Sequence, residues 1–171
     1  MATRAQTRWF VAGLYLGSAA SVGLVWALAV VLAEAGVPPN VQVALGLAGA
    51  IVMIAIRAIR PGRLPQNGRQ VPAWVTETHP AGFMIFGAEM GTGMRTFSPT
   101  VLPHVLAFTV LAMVSPLAVL AAVGFATGRA LMIPFYRART REGRKYTFTV
   151  PLPLELAVAS AMVVIVAVWL L

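Results

Sequence analysis

Residues 9–33 read WFVAGLYLGSAASVGLVWALAVVLA, an apolar run of about 25 residues without a charged side chain. A helix of that length measures about 37 Å at 1.5 Å per residue, enough to cross the roughly 30 Å hydrocarbon core of a bilayer. The apolar region of a secretory signal has only about 7–15 residues, so we expect a retained first span instead. This segment predicts the fold class, an all-α integral membrane protein.

The rest of the composition agrees with that class. The chain has 171 residues, of which 59% are hydrophobic and 11% charged, and its mean hydropathy is +0.83. A soluble domain of this size exposes too much surface to hide so much apolar area. The net charge of +8 would suit nucleic-acid binding, but the basic residues cluster beside apolar runs, as they do at the cytoplasmic ends of spans. We therefore expect anionic lipid headgroups, and not nucleic acid, as partners of the basic loops.

Apolar runs and turn residues predict five membrane segments, with the N-terminus inside and the C-terminus outside. Turn residues at 36–40 separate the first two segments, which should form a helical hairpin. If both basic loops are cytoplasmic, the chain between them crosses twice, so segment 80–97 is interpreted as a short, broken or re-entrant span. The alternative has four spans, with 80–97 at the interface. The segments are 9–33, 41–59, 80–97, 100–127 and 155–171, and the cytoplasmic basic loops are 60–79 and 128–150.

The stretch FGAEMGTGMRTFSPTVLPH at 86–104 concentrates polar residues that lipid disfavours. Ionisable side chains at membrane depth are costly and suggest function. Glu89 and Arg95 do not share a face of an unbroken helix, but a break in the glycine-rich run 91–93 would let them meet. The alternative is structural, with Arg95 at lipid phosphate and Glu89 bonded to a neighbouring helix. The predicted intramembrane polar or solute-binding cluster is Glu89, Thr92, Arg95, Thr96, Ser98, Thr100 and His104.

Other ionisable residues receive structural interpretations. His104 is expected to anchor the start of the fourth span at the interface, in preference to facing a cavity. Arg57 should snorkel to the interface, and Ser115-Pro116 should kink the fourth span. Glu155 marks a span end. With no cysteine, no aspartate and two histidines, we expect no metal site and no cofactor, and no catalytic arrangement indicates an enzyme.

Small residues recur at four-residue spacing, which allows helix backbones to approach closely in lipid. Glycine and alanine are also common throughout the chain, so some such matches arise by chance. The residues predicted to pack helices are Gly13, Gly17, Ser21, Gly87, Gly91, Gly124 and Gly128.

Three short motifs are similar to those of the CcdA-like family, membrane thiol–disulfide transporters of the cytochrome c biogenesis type. They are Phe86-Gly87, the SPTVLP run at 98–103, and Gly124 with the IPF run at 133–135, within about fifty residues. Thr100 stands where the family has its redox cysteine, so the family's electron transfer cannot occur in this chain. The resemblance implies discontinuous helices with proline breaks around a midplane site.

The sequence leaves two functions open. One is a small transporter or channel-like protein of the cytoplasmic (inner) membrane, acting as an oligomer on a small solute or ion through the polar cluster. The other is a non-catalytic accessory or anchoring subunit of a larger membrane complex, in which the small-residue stripes dock partner helices. The small mass outside the apolar segments suits both.

Overall fold

The computed structural model describes residues 3–61, 81–93, 100–141 and 150–170, with 134–141 described in their backbone only. Three of the helices in these residues, the first, second and last, are long and apolar enough to cross a membrane. The described part of the chain is all-helical, with the helix lengths and composition of a membrane protein. The helices are α1 (Arg4–Glu34), α2 (Pro39–Ile59), α3 (Gly82–Gly91), α4 (Leu102–Ala112), α5 (Ala118–Arg141) and α6 (Leu152–Leu170).

A helical hairpin of α1 and α2 opens the fold. α1 begins at a capping box, in which the Thr3 hydroxyl accepts from the Gln6 N–H and the Gln6 side chain accepts from the Thr3 N–H. The turn after α1 contains Gly36, whose φ of +82° favours glycine. The Gln42 amide then donates to the carbonyl oxygen of Ala29 at 3.0 Å, which joins the start of α2 to the end of α1.

α3 lies along the first half of α1 and runs in the same direction. Gly87 packs on Phe10 and Gly91 packs on Leu14, so four residues along α3 match four residues along α1. The rings of Phe10 and Phe86, with centroids 5.3 Å apart, extend this contact. α3 is only 10 residues long and ends near the middle of α1.

α4 continues in the same direction along the second half. Phe108 packs on Gly49 and Ala112 packs on Gly46, so α4 is antiparallel to α2. Gln42 donates to Leu111 at 3.1 Å as well as to Ala29, which places the end of α4 at the level of Ala29. Together α3 and α4 follow α1 from the level of Phe10 to the level of Ala29, a distance along α1 of about 28 Å at 1.5 Å per residue.

The prediction of one helical span over 100–127 is wrong, because this stretch holds α4 and the start of α5, which run in opposite directions. The Ser18 hydroxyl of α1 donates to the Ala122 carbonyl of α5 at 2.8 Å, and the Tyr15 and Thr127 hydroxyls are 2.8 Å apart. α5 is therefore antiparallel to α1, and so also to α4. The chain reverses between residues 112 and 118.

The expected kink at Ser115-Pro116 is instead a complete break, and the local hydrogen bonds explain why. Pro116 has no N–H to continue the ladder of α4. The Ser115 hydroxyl accepts from the Leu117 N–H at 3.2 Å, and its carbonyl accepts from the Ala118 N–H at 3.1 Å. Ser115 thus starts a new turn that leads into α5.

The predicted basic loop 128–150 is also partly wrong. α5 stays helical to Arg141, so residues 128–141 of the predicted loop belong to a helix that contains Pro134. Residues 142–149, and residues 62–79 of the other predicted loop (60–79), lie outside the described residues.

α6 begins at Leu152, beside the end of α2, and packs on α2 and α4. The three helices share an apolar core, with Ala50 and Met53 from α2, Val101 and Val105 at the start of α4, and Ala159 and Val163 from α6. These six side chains are at most 9% exposed.

Candidate functional site at the break between α3 and α4

The break between α3 and α4 is the feature of the structure that most resembles a functional site. α3 ends at Gly91, and Gly93 has a φ of +68°, which only glycine adopts without strain. A Cβ atom on Gly93 would lie 3.0 Å from Pro103 of α4 and 3.1 Å from Phe125 of α5. The two ends of the break are therefore close together and covered by α5. Gly91, Gly93 and Pro103 are all buried.

The end of α3 has a basic partner on α5. Arg129 donates from Nη1 to the carbonyl oxygen of Met90 at 2.6 Å, and its guanidinium lies 5.1 Å from the centre of the Phe125 ring. The Thr92 hydroxyl donates to the carbonyl oxygen of Glu89 at 2.7 Å. Both groups donate to carbonyls of the last turn of α3, where helix carbonyls lack their usual partners, and the cation suits the negative end of the helix dipole.

The start of α4 has an acidic partner on α6. The Glu155 carboxylate accepts from the Val101 N–H at 2.5 Å, and Val101 is the residue that caps α4. Arg57 of α2 donates to the same carboxylate from Nε at 3.1 and 3.2 Å and from Nη2 at 2.9 Å. The positive end of α4 thus meets an anion, whose charge Arg57 balances. Each end of the break thus meets a charge opposite in sign to its helix dipole: Arg129 of α5 at the end of α3, and Glu155 of α6 at the start of α4.

Four of the seven residues of the predicted polar cluster are described, and they flank the break. Glu89 and Thr92 lie at the end of α3, with the Glu89 Oε2 atom enclosed by protein. Thr100 is half-buried just before α4, and His104 is in its first turn. Arg95, Thr96 and Ser98 lie outside the described residues.

The expectation that His104 anchors at the membrane interface is wrong. Its side chain is 3% exposed and is enclosed within the helix bundle. The position near the start of α4 suggested an interface, but α4 begins beside the middle of α1 and not at a helix end.

Sequence reasoning missed the three charged residues that hold the break. Arg57 was expected to snorkel, Arg129 to lie in a loop, and Glu155 to mark a span end. In the structure the Arg57 side chain is 13% exposed and that of Glu155 is fully buried. The available signal was Glu155 itself, a lone acidic residue at the start of the apolar run 155–171.

The predicted packing glycines separate into two groups. A Cβ on any of four of them would collide with the backbone of the facing helix, so they set the distance between α1 and α3: Gly13, Gly17, Gly87 and Gly91. Gly124 and Gly128 on α5 have no described atom within 4 Å of such a Cβ. Ser21 is half-buried on α1.

The far end of α4 borders a groove. α5 and α6 make no contact with each other in the described residues, and between them lies a cavity of about 210 Å³. Thr109 is the one polar residue of its lining, and its hydroxyl donates within α4 to Leu106 at 2.9 Å. Among the described residues, no three His, Asp or Glu side chains are grouped as a metal site would need.

Comparison with known proteins gives no relative: no protein-family model matches the chain, and neither does any curated protein or solved structure.

Proposed function

We propose that the chain is a multi-pass protein of the cytoplasmic membrane that binds a small solute or ion at the break between α3 and α4. It acts as a transporter- or channel-like oligomer. One observation carries the proposal: a helix is interrupted beside the middle of α1, and its two ends are held by Arg129 and Glu155 from other helices. Discontinuous helices of this kind form the midplane binding sites of many secondary transporters.

The interrupted helix also supports a topology of five crossings. α3 and α4 together count as one crossing, parallel to α1, and α5 returns antiparallel to α1. With the N-terminus inside, both basic loops are then cytoplasmic and the C-terminus is outside, as the distribution of arginine favours. The residues assigned to the third and fourth crossings differ from the sequence prediction, but the number of crossings is the same.

The break suits a binding site because its irregular backbone is covered by protein. Non-helical backbone at membrane depth is tolerated only where protein or an internal cavity surrounds it. Glu89, Thr92, Thr100 and His104 would supply the polar groups for a solute, and Arg129 the fixed charge at the end of α3. Five crossings leave little room for a pathway, so we expect several copies of the chain to act together. The same arrangement fits the architecture that the CcdA-like resemblance implies.

The test is a flux assay on purified protein in liposomes, with Na⁺, K⁺, protons, chloride, phosphate and acetate as probes. We expect protein-dependent flux of at least one probe, lost in Glu89→Gln protein that still assembles. The control is Glu34→Gln, since Glu34 is exposed at the end of α1. Absence of flux for every probe, or full flux in Glu89→Gln protein, would overturn the proposal.

A second function, an accessory subunit of a larger membrane complex, is favoured by the open face of α5. Gly124 and Gly128 are exposed and four residues apart, with no described atom near them. Such a stripe allows close approach of a partner helix. Native mass in mild detergent separates the two functions, because unrelated chains at fixed ratio support the subunit and a homo-oligomer supports the transporter.

Anionic lipid is the proposed partner of the basic ends. Arg4 and Arg8 are exposed and line an open depression at the start of α1 together with Thr7. Arginine beside an apolar helix surface attracts acidic headgroups. Binding to vesicles of acidic lipid, measured against neutral vesicles, should weaken in the Arg4→Gln, Arg8→Gln double variant.

A further inference from the structure

The Glu155 carboxylate does more than cap α4, because it ties three helices together at one point. Among the described helices, α6 packs only on α2 and α4. The same carboxylate accepts from Arg57 at the end of α2 and from the Val101 N–H at the start of α4. The side chains around it that form the shared core, such as Met53, Val105 and Ala159, are apolar. The Glu155 carboxylate is therefore a polar junction of α2, α4 and α6 at the start of α4.

The two partners of this ion pair differ in their access to the surface. The Arg57 side chain is 13% exposed and has a long flexible stem, whereas the Glu155 side chain is 0% exposed. Desolvation offsets much of the attraction in a buried pair, but separating the partners would leave the buried Glu155 carboxylate without its counterion, which is costly. Arg57 can turn outward to lipid headgroups, as arginine near a helix end commonly does. The structure shows the closed arrangement of the junction, and opening it requires Arg57 to leave Glu155.

We propose that Arg57, Glu155 and the Val101 N–H form a latch that holds the start of α4 against α2 and α6. Opening of the latch lets the start of α4 and α6 separate, which exposes one side of the break between α3 and α4. That this movement gives a solute access to the break rests on the proposed function. The movement itself is a change between two discrete packings and can be measured without a solute.

The test uses a single cysteine as the reporter of opening, because the chain has no native cysteine. Val105→Cys lies one turn into α4, where Val105 is 0% exposed and packs in the shared core. Its rate of reaction with N-ethylmaleimide reports how often water and reagent reach the start of α4. The control reporter is Ala29→Cys, also 0% exposed but at the level of the end of α4, away from the latch.

Three changes at the latch give graded expectations. Glu155→Leu removes the acceptor for both partners and should raise the Val105→Cys labelling rate by about tenfold or more. Glu155→Gln keeps an acceptor for the Val101 N–H and should give a smaller rise. The exchange R57E/E155R restores an ion pair but offers no acceptor to Val101, so its labelling should stay as fast as in Glu155→Leu. The Ala29→Cys rate should remain within about twofold throughout.

Each other result overturns the latch. Unchanged Val105→Cys labelling in Glu155→Leu protein would show that the junction does not hold α4. Slow labelling in the exchanged protein would show that the pair acts without the backbone of α4. An equal rise at Val105→Cys and Ala29→Cys would indicate general loosening. If Glu155→Leu protein does not accumulate, Glu155→Gln is measured against the same control. Because labelling needs no solute, absence of transport does not affect the outcome.

Discussion

Arg129 of α5 donates to the main-chain oxygen of Met90, in the last turn of α3, over a distance of 2.6 Å. The last carbonyls of a helix have no partner within it, and in a bilayer they have no water either. Arg129 supplies both a donor and a positive charge at this point. The Phe125 ring, 5.1 Å from the guanidinium, supports it from its own helix. α5 thereby holds the end of a helix that stops beside the middle of α1.

Replacement of Arg129 by methionine should detach α3 from α5. Methionine keeps an unbranched apolar stem but has no donor, so the Met90 carbonyl loses the hydrogen bond from Arg129. We expect the free energy of unfolding to fall by about 1–3 kcal/mol, measured by titration of the detergent-solubilised protein with SDS. Amide exchange should rise most around Met90. Arg60→Met, at the exposed end of α2, is the control and should change little. A loss of equal size in the control would argue against a specific cap.

Two glycines of the same helix predict opposite outcomes for the same change. A Cβ on Gly17 would collide with the Ala88 backbone of α3, whereas a Cβ on Gly23 meets no atom of the described residues within 4 Å. Gly17→Ala should therefore push α1 and α3 apart and cost about 1–3 kcal/mol of unfolding free energy. Gly23→Ala should be nearly neutral. The SDS titration measures both, and a similar cost for the two would contradict the close contact of α1 with α3.

Much of the helical framework could be predicted from the sequence, because apolar length and turn residues determine it. The helices at Arg4–Glu34 and Pro39–Ile59 lie where continuous apolar runs predicted helices. The end of α3 at Gly91 likewise follows from the glycines at 91 and 93, which disfavour helix. These features depend on local sequence alone.

The partners of charged residues could not be predicted, because they depend on how helices meet. Arg57 and Glu155 are 98 positions apart, and Arg129 and Met90 are 39 apart. Glycine spacing has the same limit: Gly13 and Gly17 pack closely on α3, whereas Gly124, in an equivalent pattern, has no neighbour among the described residues within 4 Å of an added Cβ. A serine–proline pair predicts a disturbance of a helix, but the reversal at 113–117 requires the contacts of α5 with α1. Sequence periodicity indicates which face of a helix carries apolar or small residues, but it does not indicate which other helix packs on that face.

A comparison of Gly93 with Gly36 separates the cost of backbone strain from the cost of a steric contact. Both have positive φ, +68° and +82°, so alanine at either position is strained by about 1–2 kcal/mol. In the part of the chain that the structure describes, an added Cβ also meets atoms at Gly93, Pro103 at 3.0 Å and Phe125 at 3.1 Å, but none at Gly36. Gly93→Ala should therefore lower the free energy of unfolding more than Gly36→Ala does. Equal losses in the SDS titration would mean that the break is looser than the contacts with Pro103 and Phe125 indicate.

The reversal between α4 and α5 makes Ser115 the sharpest probe of topology. If 100–127 crossed the membrane as one helix, Ser115 would lie in the hydrocarbon and a cysteine there would not react with a membrane-impermeant thiol reagent. In the proposed topology the turn at 113–117 lies at the level of Ala29 or beyond, toward the outer surface. Ser115→Cys should therefore be labelled from outside in intact cells.

Reporter positions on either side complete the measurement. Gly143 and Leu171 lie outside the described residues. Activity of a cytoplasmic reporter fused at Gly143, and of an external reporter fused at Leu171, is expected from the arginine-rich loop and the single crossing of α6. Arg60→Cys, exposed at the end of α2 on the cytoplasmic side of the proposed topology, should resist the impermeant reagent in intact cells and controls for leaky cells. Protection of Ser115→Cys, or both fusions reporting the same side, would contradict five crossings with α3 and α4 counted as one.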